Sequence, residues 1–273
     1  MRHWLTGIIP VALLLLWAAL SLGASHLPLT PDEIQLEAIL AGPSSAALLG
    51  HDDLGRDILD RMIVGARTSF LVSVWVVGLS LLAGTLLGTA CAYHGGWWDR
   101  LTVLLVDVFL AFPGILLAIA LAGLLGPGID NVVIALTIVG WVGYARLSRA
   151  QVLSLKHREH VQAAEALGTG KWTIMRKHLL PLMAAPLIVE ATFGIASVVI
   201  AEAGLSFLGL GVQPPEASWG AMIRDGTRYM LVAPHMVLAP GVALFAVVLS
   251  VNLLGDRLRD RLDIRLSASR NRA

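Results

Sequence analysis

The sequence predicts an all-α integral membrane protein with six transmembrane helices. Of its 273 residues, 56% are hydrophobic and only 14% are charged, whereas soluble domains carry about 25% charged residues. Runs of about 20 mainly apolar residues, long enough to cross the hydrocarbon core as helices, recur along the chain. Because these runs are continuous rather than alternating, they favour helices over the strands of a membrane barrel.

Six spans are predicted in order along the chain. Their approximate bounds are Leu5–Leu22, Phe70–Tyr93, Leu101–Leu125, Asn131–Leu147, Leu182–Leu205 and Met236–Gly255. The first run could instead be a cleaved signal peptide. Its only early basic residue is Arg2, and Leu22-Gly23-Ala24 is a poor cleavage site. We therefore expect this run to remain as a span.

The distribution of lysine and arginine predicts that both termini lie in the cytoplasm, where short loops carry an excess of these residues. With the N-terminus inside, the predicted outer segments hold only five of the 20 Lys and Arg residues: Arg56, Arg61, Arg67, Arg224 and Arg228. The basic tail after Gly255 suits anionic lipid. A net charge of +1 predicts no bulk attraction to nucleic acid, and the single cysteine, Cys91, allows no disulfide within the chain.

A polar, basic stretch separates the fourth and fifth spans. It reads HVQAAEALGTGKWTIMRKHLLP over His160–Pro181, and it predicts two short helices at about Lys156–Leu167 and Thr169–Leu179. Gly168 suits the left-handed end of the first helix, and Thr169 can cap the second. Pro181 is expected to end that second helix before the next span begins.

The second of these helices carries an apolar stripe. Trp172, Met175 and Leu179 recur at helical spacing, and the remaining faces are basic. Such a stripe must be covered. Two interpretations are open: the helix lies on the membrane or on its own bundle, or it forms a docking surface for a cytoplasmic partner.

The same stretch resembles the "EAA" signature of ATP-binding-cassette importer permeases, through Gln162-Ala163-Ala164, Gly168 after three further residues, and Leu180-Pro181 after a spacer. In that family the loop forms a coupling helix that sits in a cleft of the ATPase subunit. The family's glutamate is Gln162 here, which implies a neutral hydrogen bond to the ATPase. The resemblance implies ATPase coupling by Gln162, Ala163, Ala164, Gly168, Trp172, Leu180 and Pro181.

Four further stretches resemble the second permease subunit of dipeptide, oligopeptide and nickel importers. They are GHDDLGRDILDRMIVGARTS (50–69), VDVFLAFPGILLAI (106–119), AEAGLSFLGLGVQPPEASWGAMI (201–223) and NLLGDRLRDRLD (252–263). The similarity covers Leu49 to Asp263. It implies a type I importer permease fold, in which residues 1–48 form a first transmembrane helix and outer segment. Residues 49–273 would form the permease core, with the coupling loop at 156–181.

The resemblance also implies partners and a location. We expect a bacterial inner-membrane permease that pairs with a second homologous permease, two cytoplasmic ATPase subunits and an extracytoplasmic solute-binding protein. The expected solute is a dipeptide or oligopeptide, with nickel or a metal chelate as the alternative. We expect no cofactor or metal on this chain, because ATP and Mg²⁺ would bind at the ATPase subunits.

Other classes of protein are less well supported. The GTGK at 168–171 lacks the first glycine and the following Ser or Thr of a phosphate-binding loop. A secondary transporter would favour symmetry between the two halves of the chain, and none is detected. No arrangement of side chains predicts a membrane enzyme.

Three carboxylates fall in or near the predicted spans, where ionisable groups are costly and a functional role is the first hypothesis. Asp107 and Glu202 lie close enough to span ends to reach water or a partner chain, so we expect them to be structural. Glu190 lies deeper, and we expect it to make a polar contact inside the bundle or along a solute pathway.

The outer loop after the fifth span carries residues that bend or anchor it. Gly209 and Gly211 permit tight turns. Trp219 is expected at the level of the lipid headgroups or, by the resemblance, near the mouth of the pathway. The candidates for the outer gate or pathway are therefore Glu190, Glu202, Gly209, Gly211 and Trp219.

An amphipathic helix is also predicted on the outer face before the second span. Asp52 or Asp53 could cap it near Leu54. Its apolar face is expected to serve as an interfacial anchor rather than as a direct solute gate.

Overall fold

The computed structural model describes residues 2–270, and the side chains of residues 7–262. Every regular element in this part of the chain is helical, and it contains no strand. The α-helices are α1 (Arg2–Gly23), α2 (Ile58–His94), α3 (Gly96–Leu110), α4 (Gly114–Leu125), α5 (Ile129–Leu155), α6 (Glu159–Ala166), α7 (Lys171–Ile174), α8 (Leu180–Phe207), α9 (Trp219–Thr227) and α10 (His235–Arg270). The predicted orientation also used charges outside the described part, namely Arg272 and the side chains of Arg2, Arg265 and Arg270.

Five described helices are long and apolar enough to cross a membrane, and a bent pair supplies a sixth candidate. The five are Gly7–His26, Ile58–His94, Ile129–Leu155, Lys171–Phe207 and His235–Leu262. The all-α fold and the positions of these spans confirm the predicted fold class.

The predicted third span is not one straight helix. α3 and α4 meet at an angle of 87°. The break lies at Ala111-Phe112-Pro113, where Pro113 adopts ψ = 120° before α4 begins. A proline donates no backbone hydrogen bond and disfavours the helical conformation of the residue before it. The apolar run continues through this point, so the sequence predicted one helix over Leu101–Leu125 where the structure has two helices that together form one candidate span.

The predicted amphipathic helix before the second span is the first part of α2 itself. α2 begins at Ile58 and is capped by Asp57, which accepts hydrogen bonds from the N–H groups of Leu59 and Asp60 at 2.7 and 3.2 Å. Asp52 does not cap a helix. Its carboxylate accepts hydrogen bonds from the backbone N–H groups of Leu54 and Arg56, both at 2.9 Å, and so closes its own turn.

Pro181 does not end a helix, contrary to the prediction. Helical structure runs without interruption from Lys171 to Phe207, and a π-helical turn at Met175–Leu179 precedes the proline. Pro181 stands in the first turn of α8, where a missing N–H is tolerated. The wider π-turn shifts the hydrogen-bond register just before the proline, so the helix continues.

α2 and α5 approach each other closely at two glycines of α2. A Cβ at Gly84 would lie 2.3 Å from the Trp141 carbonyl oxygen, and one at Gly88 would lie 2.3 Å from the Ala145 carbonyl oxygen. Small residues four apart on one helix face let helix backbones touch inside a membrane. α2 and α5 therefore form a tightly packed pair.

α1 packs on the bundle rather than standing apart. The indole N–H of Trp17 donates to the Ala66 carbonyl at 3.2 Å, and its ring packs edge-on against Phe70 with centroids 5.2 Å apart. The division into residues 1–48 and 49–273 stays a prediction. α8 runs between the two ends of the bundle. We name them the α6 end, where the loop of α6 and α7 lies, and the α9 end, where α9 lies.

Candidate functional site

The backbone of the loop between α5 and α8 forms a helix, a tight turn and a second helix. Gly168 has φ = +78°, the left-handed conformation that the sequence predicted. The N–H groups of Gly168 and Thr169 donate to the carbonyls of Glu165 and Ala164 at 2.9 and 3.0 Å. Because Thr169 is thereby part of the turn that closes α6, α7 is capped by Gly170 instead.

One face of this loop is buried in the bundle. Val161 and Ala164 of α6 belong to the same buried cluster as Ile174, Met175 and Leu179. That cluster continues into the spans through Ala92, Val152 and Met183. The predicted stripe is therefore divided, since Met175 and Leu179 pack on the chain's own bundle whereas Trp172 does not.

The opposite face carries large apolar side chains exposed to solvent. Leu167 is 85% exposed and Trp172 is 61% exposed. Gln162, Ala163, Gly168 and Lys171 are exposed beside them, and we name these six residues the loop surface. Ala164 points into the bundle instead, and Leu180 and Pro181 lie beyond the π-turn in α8.

Glu190 lines a cavity of about 530 Å³ between α5, α8 and α10, toward the α6 end. The same cavity is lined by Gln151, Arg158 and Arg259 and by apolar side chains of all three helices. Glu190 makes no ion pair within the described side chains. Pro186 lies one turn before Glu190 in α8 and also lines the cavity, so the Leu182 carbonyl lacks its helical donor.

Asp107 is exposed on α3, one turn before the break at Pro113. Its carboxylate makes no hydrogen bond or ion pair with residues 7–262. The structure does not bring Asp107 together with Glu190 or Glu202, which lie on α8.

Trp219 is buried at the α9 end and does not lie exposed at headgroup level. It is 3% exposed, and its indole N–H donates to the Met62 carbonyl at 3.0 Å. A tryptophan can be buried when its N–H finds such an acceptor. Two more hydrogen bonds join this segment to α2: Thr68 donates to the Ala217 carbonyl at 3.1 Å, and Arg61 donates to the Pro215 carbonyl at 3.3 Å.

Glu202 is fully buried nearby, where it links α2 to α8. The hydroxyls of Ser69 and Ser206 donate to its two carboxylate oxygens, each at 2.8 Å. The turn that follows α8 uses both predicted glycines. Gly209 has φ = +84°, and a Cβ at Gly211 would lie 2.0 Å from the Ser206 hydroxyl. These residues hold the segment before α9 in place.

Two ionic contacts were not predicted from the sequence, in which their arginines served only as topology signals. Arg56 pairs with Asp52 at 2.7 Å, and this pair is largely buried. Burial and the nearby Asp52 carboxylate raise the pKa of Asp53 above its usual value. At the α6 end, Arg149 of α5 binds both carboxylate oxygens of Asp99 on α3 at 2.7 and 2.9 Å.

Comparison with known proteins identifies the class. Residues 80–268 match the family described as "Binding-protein-dependent transport system inner membrane component". The glutathione transport system permease protein GsiD of Pectobacterium atrosepticum is 44% identical over 227 residues, or 83% of this chain and 75% of that protein. GsiD of an Escherichia coli O1:K1 strain is 45% identical over 222 residues, or 81% and 73% of the two chains.

A solved structure shares the fold. It is described as inward-facing conformations of the MetNI methionine ABC transporter, with a TM-score of 0.56 and 20% identity over 71% of this chain and 90% of the other. The chain belongs to the family of binding-protein-dependent inner-membrane transport components. It is a permease subunit of an ABC importer in the bacterial inner membrane, and such an importer works with ATPase and substrate-binding partners.

Proposed function

We propose that this permease carries short peptides, of which glutathione is the first to test, across the inner membrane. The glutathione transport for which its GsiD relatives are named supports a peptide solute over the alternative of nickel or a metal chelate. The importer would contain this chain, a second homologous permease, two ATPase subunits and an extracytoplasmic solute-binding protein. ATP and Mg²⁺ would bind at the ATPase subunits, and this chain would bind no cofactor of its own.

The loop surface is proposed to dock on an ATPase subunit in the cytoplasm. The observation that carries this proposal is the exposure of Leu167 and Trp172 beside Lys171, while the rest of the apolar stripe is buried. Large apolar groups flanked by polar residues are typical of protein-binding surfaces. Gln162 is exposed and uncharged, so it would offer a hydrogen bond rather than a salt bridge. With this loop inside, both termini lie in the cytoplasm.

The cavity around Glu190 is proposed to form part of the solute pathway. Within the cavity, the Glu190 carboxylate suits the ammonium group of a peptide, and the guanidinium groups of Arg158 and Arg259 suit its carboxylate. Because Glu202 and Trp219 are buried, we assign them, with Gly209 and Gly211, to positioning the α9 end.

The test measures solute uptake by cells that lack this chain. The cells are given labelled glutathione, labelled dipeptide and labelled nickel in parallel. A plasmid-borne copy serves as the control. We expect a restorable loss of peptide uptake only. A restorable loss of nickel uptake alone would overturn the peptide assignment and keep the importer.

Two variants then test the assigned regions. Trp172→Ser should prevent co-purification of the ATPase subunits, because it removes the largest apolar group of the loop surface. Glu190→Gln should raise the KM for peptide uptake more than it lowers the maximal rate, whereas Asp107→Asn, a carboxylate outside the cavity, should change neither. Equal KM values for Glu190→Gln and the unaltered chain would rule out the pathway assignment.

A further inference from the structure

α6 is attached to the transmembrane helices by few side-chain contacts. Within the described residues it makes one hydrogen bond to a span, in which the Tyr93 hydroxyl of α2 donates to the Glu165 carboxylate. A second contact is between the rings of His160 and His178, whose centroids are 6.3 Å apart. Beneath these contacts, the buried side chains Val161 and Ala164 join the cluster that includes Ala92 of α2.

Within the described contacts, Tyr93 is the last residue of α2 whose side chain bonds to α6. His94, the final residue of α2, turns its ring to the Ala90 carbonyl at 2.9 Å. Beyond it the chain reverses through Gly95 and Gly96, which have φ values of +69° and +61°. Such values are accessible to glycine at little cost. The Tyr93–Glu165 pair therefore joins the end of one helix directly to the end of the other.

A displacement of α2 would not stay local. Gly84 and Gly88 place its backbone against that of α5, as described above. Closely packed helices shift as units rather than deforming continuously. A movement of α6 that pulls on Tyr93 would therefore move α2 and α5 together.

We propose that Tyr93 and Glu165 are positioning residues for transport, which latch the coupling helix α6 to the end of α2. This inference rests on the proposed docking of the loop surface on an ATPase subunit. Glu165 then has a different role from Gln162. The glutamate, although exposed, accepts a hydrogen bond from Tyr93 of α2 and so transmits the movement of α6, whereas no hydrogen bond joins the exposed Gln162 side chain to a span within the described residues. Without the latch, ATP hydrolysis would continue while the spans respond less.

The test uses the whole importer in proteoliposomes, with its ATPase subunits and binding protein, and measures solute transported per ATP hydrolysed. Tyr93→Phe removes only the hydroxyl, and Glu165→Ala removes the acceptor. Each should leave basal ATP hydrolysis unchanged and lower the transport ratio about 5- to 10-fold, at the lower end of typical coupling between sites. The double variant should be no worse than either single one.

Two further variants separate this role from a merely structural one. Glu165→Gln keeps an acceptor oxygen and should recover most of the ratio. Glu159→Ala removes the other carboxylate of α6, which makes no hydrogen bond in the described structure, and should leave the ratio unchanged.

The possible failures are distinct. A normal ratio in Tyr93→Phe and Glu165→Ala refutes the latch. Loss of ATPase co-purification in either variant also refutes it, because the pair would then be needed for assembly. Normal co-purification in Trp172→Ser refutes the docking assignment instead, whatever the ratio in the latch variants.

Discussion

The contact between α2 and α5 predicts that alanine at position 88 destabilises the bundle. A Cβ there would lie 2.3 Å from the Ala145 carbonyl oxygen, 2.9 Å from its Cα and 3.0 Å from its carbonyl carbon. A carbon atom normally approaches a carbonyl oxygen to about 3.3 Å, so the two helices must separate locally by about 1 Å. All three atoms belong to backbone, which cannot rotate away as a flexible side chain would.

Gly78 provides a matched control on the same helix. A Cβ at Gly78 meets no heavy atom within 4 Å. Both Gly88→Ala and Gly78→Ala gain about 1 kcal/mol of helix propensity, so this term cancels in their comparison. What remains is the cost of overpacking, about 1–3 kcal/mol.

Thermal unfolding of the two purified variants in the same detergent measures this difference. We expect Gly78→Ala to melt at or above the temperature of the unaltered chain, and Gly88→Ala to melt several degrees below it. Equal melting temperatures for the two variants would show that the helices are not in backbone contact at Gly88, and the explanation of their pairing would fail.

Three other predictions follow from the described contacts. Arg149→Asp should lower stability by about 1 kcal/mol, because it places a second carboxylate beside Asp99, and adding Asp99→Arg should restore most of the loss in the same melting assay. Gly168→Val should abolish transport yet leave the amount of chain in the membrane fraction unchanged, since a β-branched residue resists φ = +78°; normal uptake would refute the role of this turn. Trp219→Phe should cost about 1 kcal/mol, because the Met62 carbonyl loses its indole donor, and an unchanged melting temperature would mean that this hydrogen bond adds nothing.

The spans could be predicted from the sequence because the length and apolarity of a run are local properties. The same property misled the prediction at Pro113, where an unbroken apolar run hides an 87° bend. At Pro181 the prediction ended a helix that in fact continues, because the π-turn that admits the proline has no simple sequence pattern. The left-handed turn at Gly168 was predicted because a positive φ favours glycine, and this preference depends on that one residue alone.

The candidate site was harder to predict because its properties depend on distant parts of the chain. Trp219 resembles an interfacial anchor in sequence, and only the position of the Met62 carbonyl 157 residues away allows it to be buried. Tyr93 and Glu165 are separated by 72 residues, so no spacing rule joins them. Met175 and Leu179 fitted a docking stripe by periodicity, which does not distinguish a neighbouring span from a separate protein.

The bend between α3 and α4 has a consequence for how this permease completes its folding. Residues 110–114 are exposed in the isolated chain, and the last carbonyls of one helix and the first amides of the next lack helical partners there. Lipid tails offer such groups no hydrogen bonds. The bend must therefore meet water or another protein, and the proposed second permease is the neighbour we expect to cover it. In a chain without that neighbour, these backbone groups would stay exposed, so assembly would complete the cover of the bend.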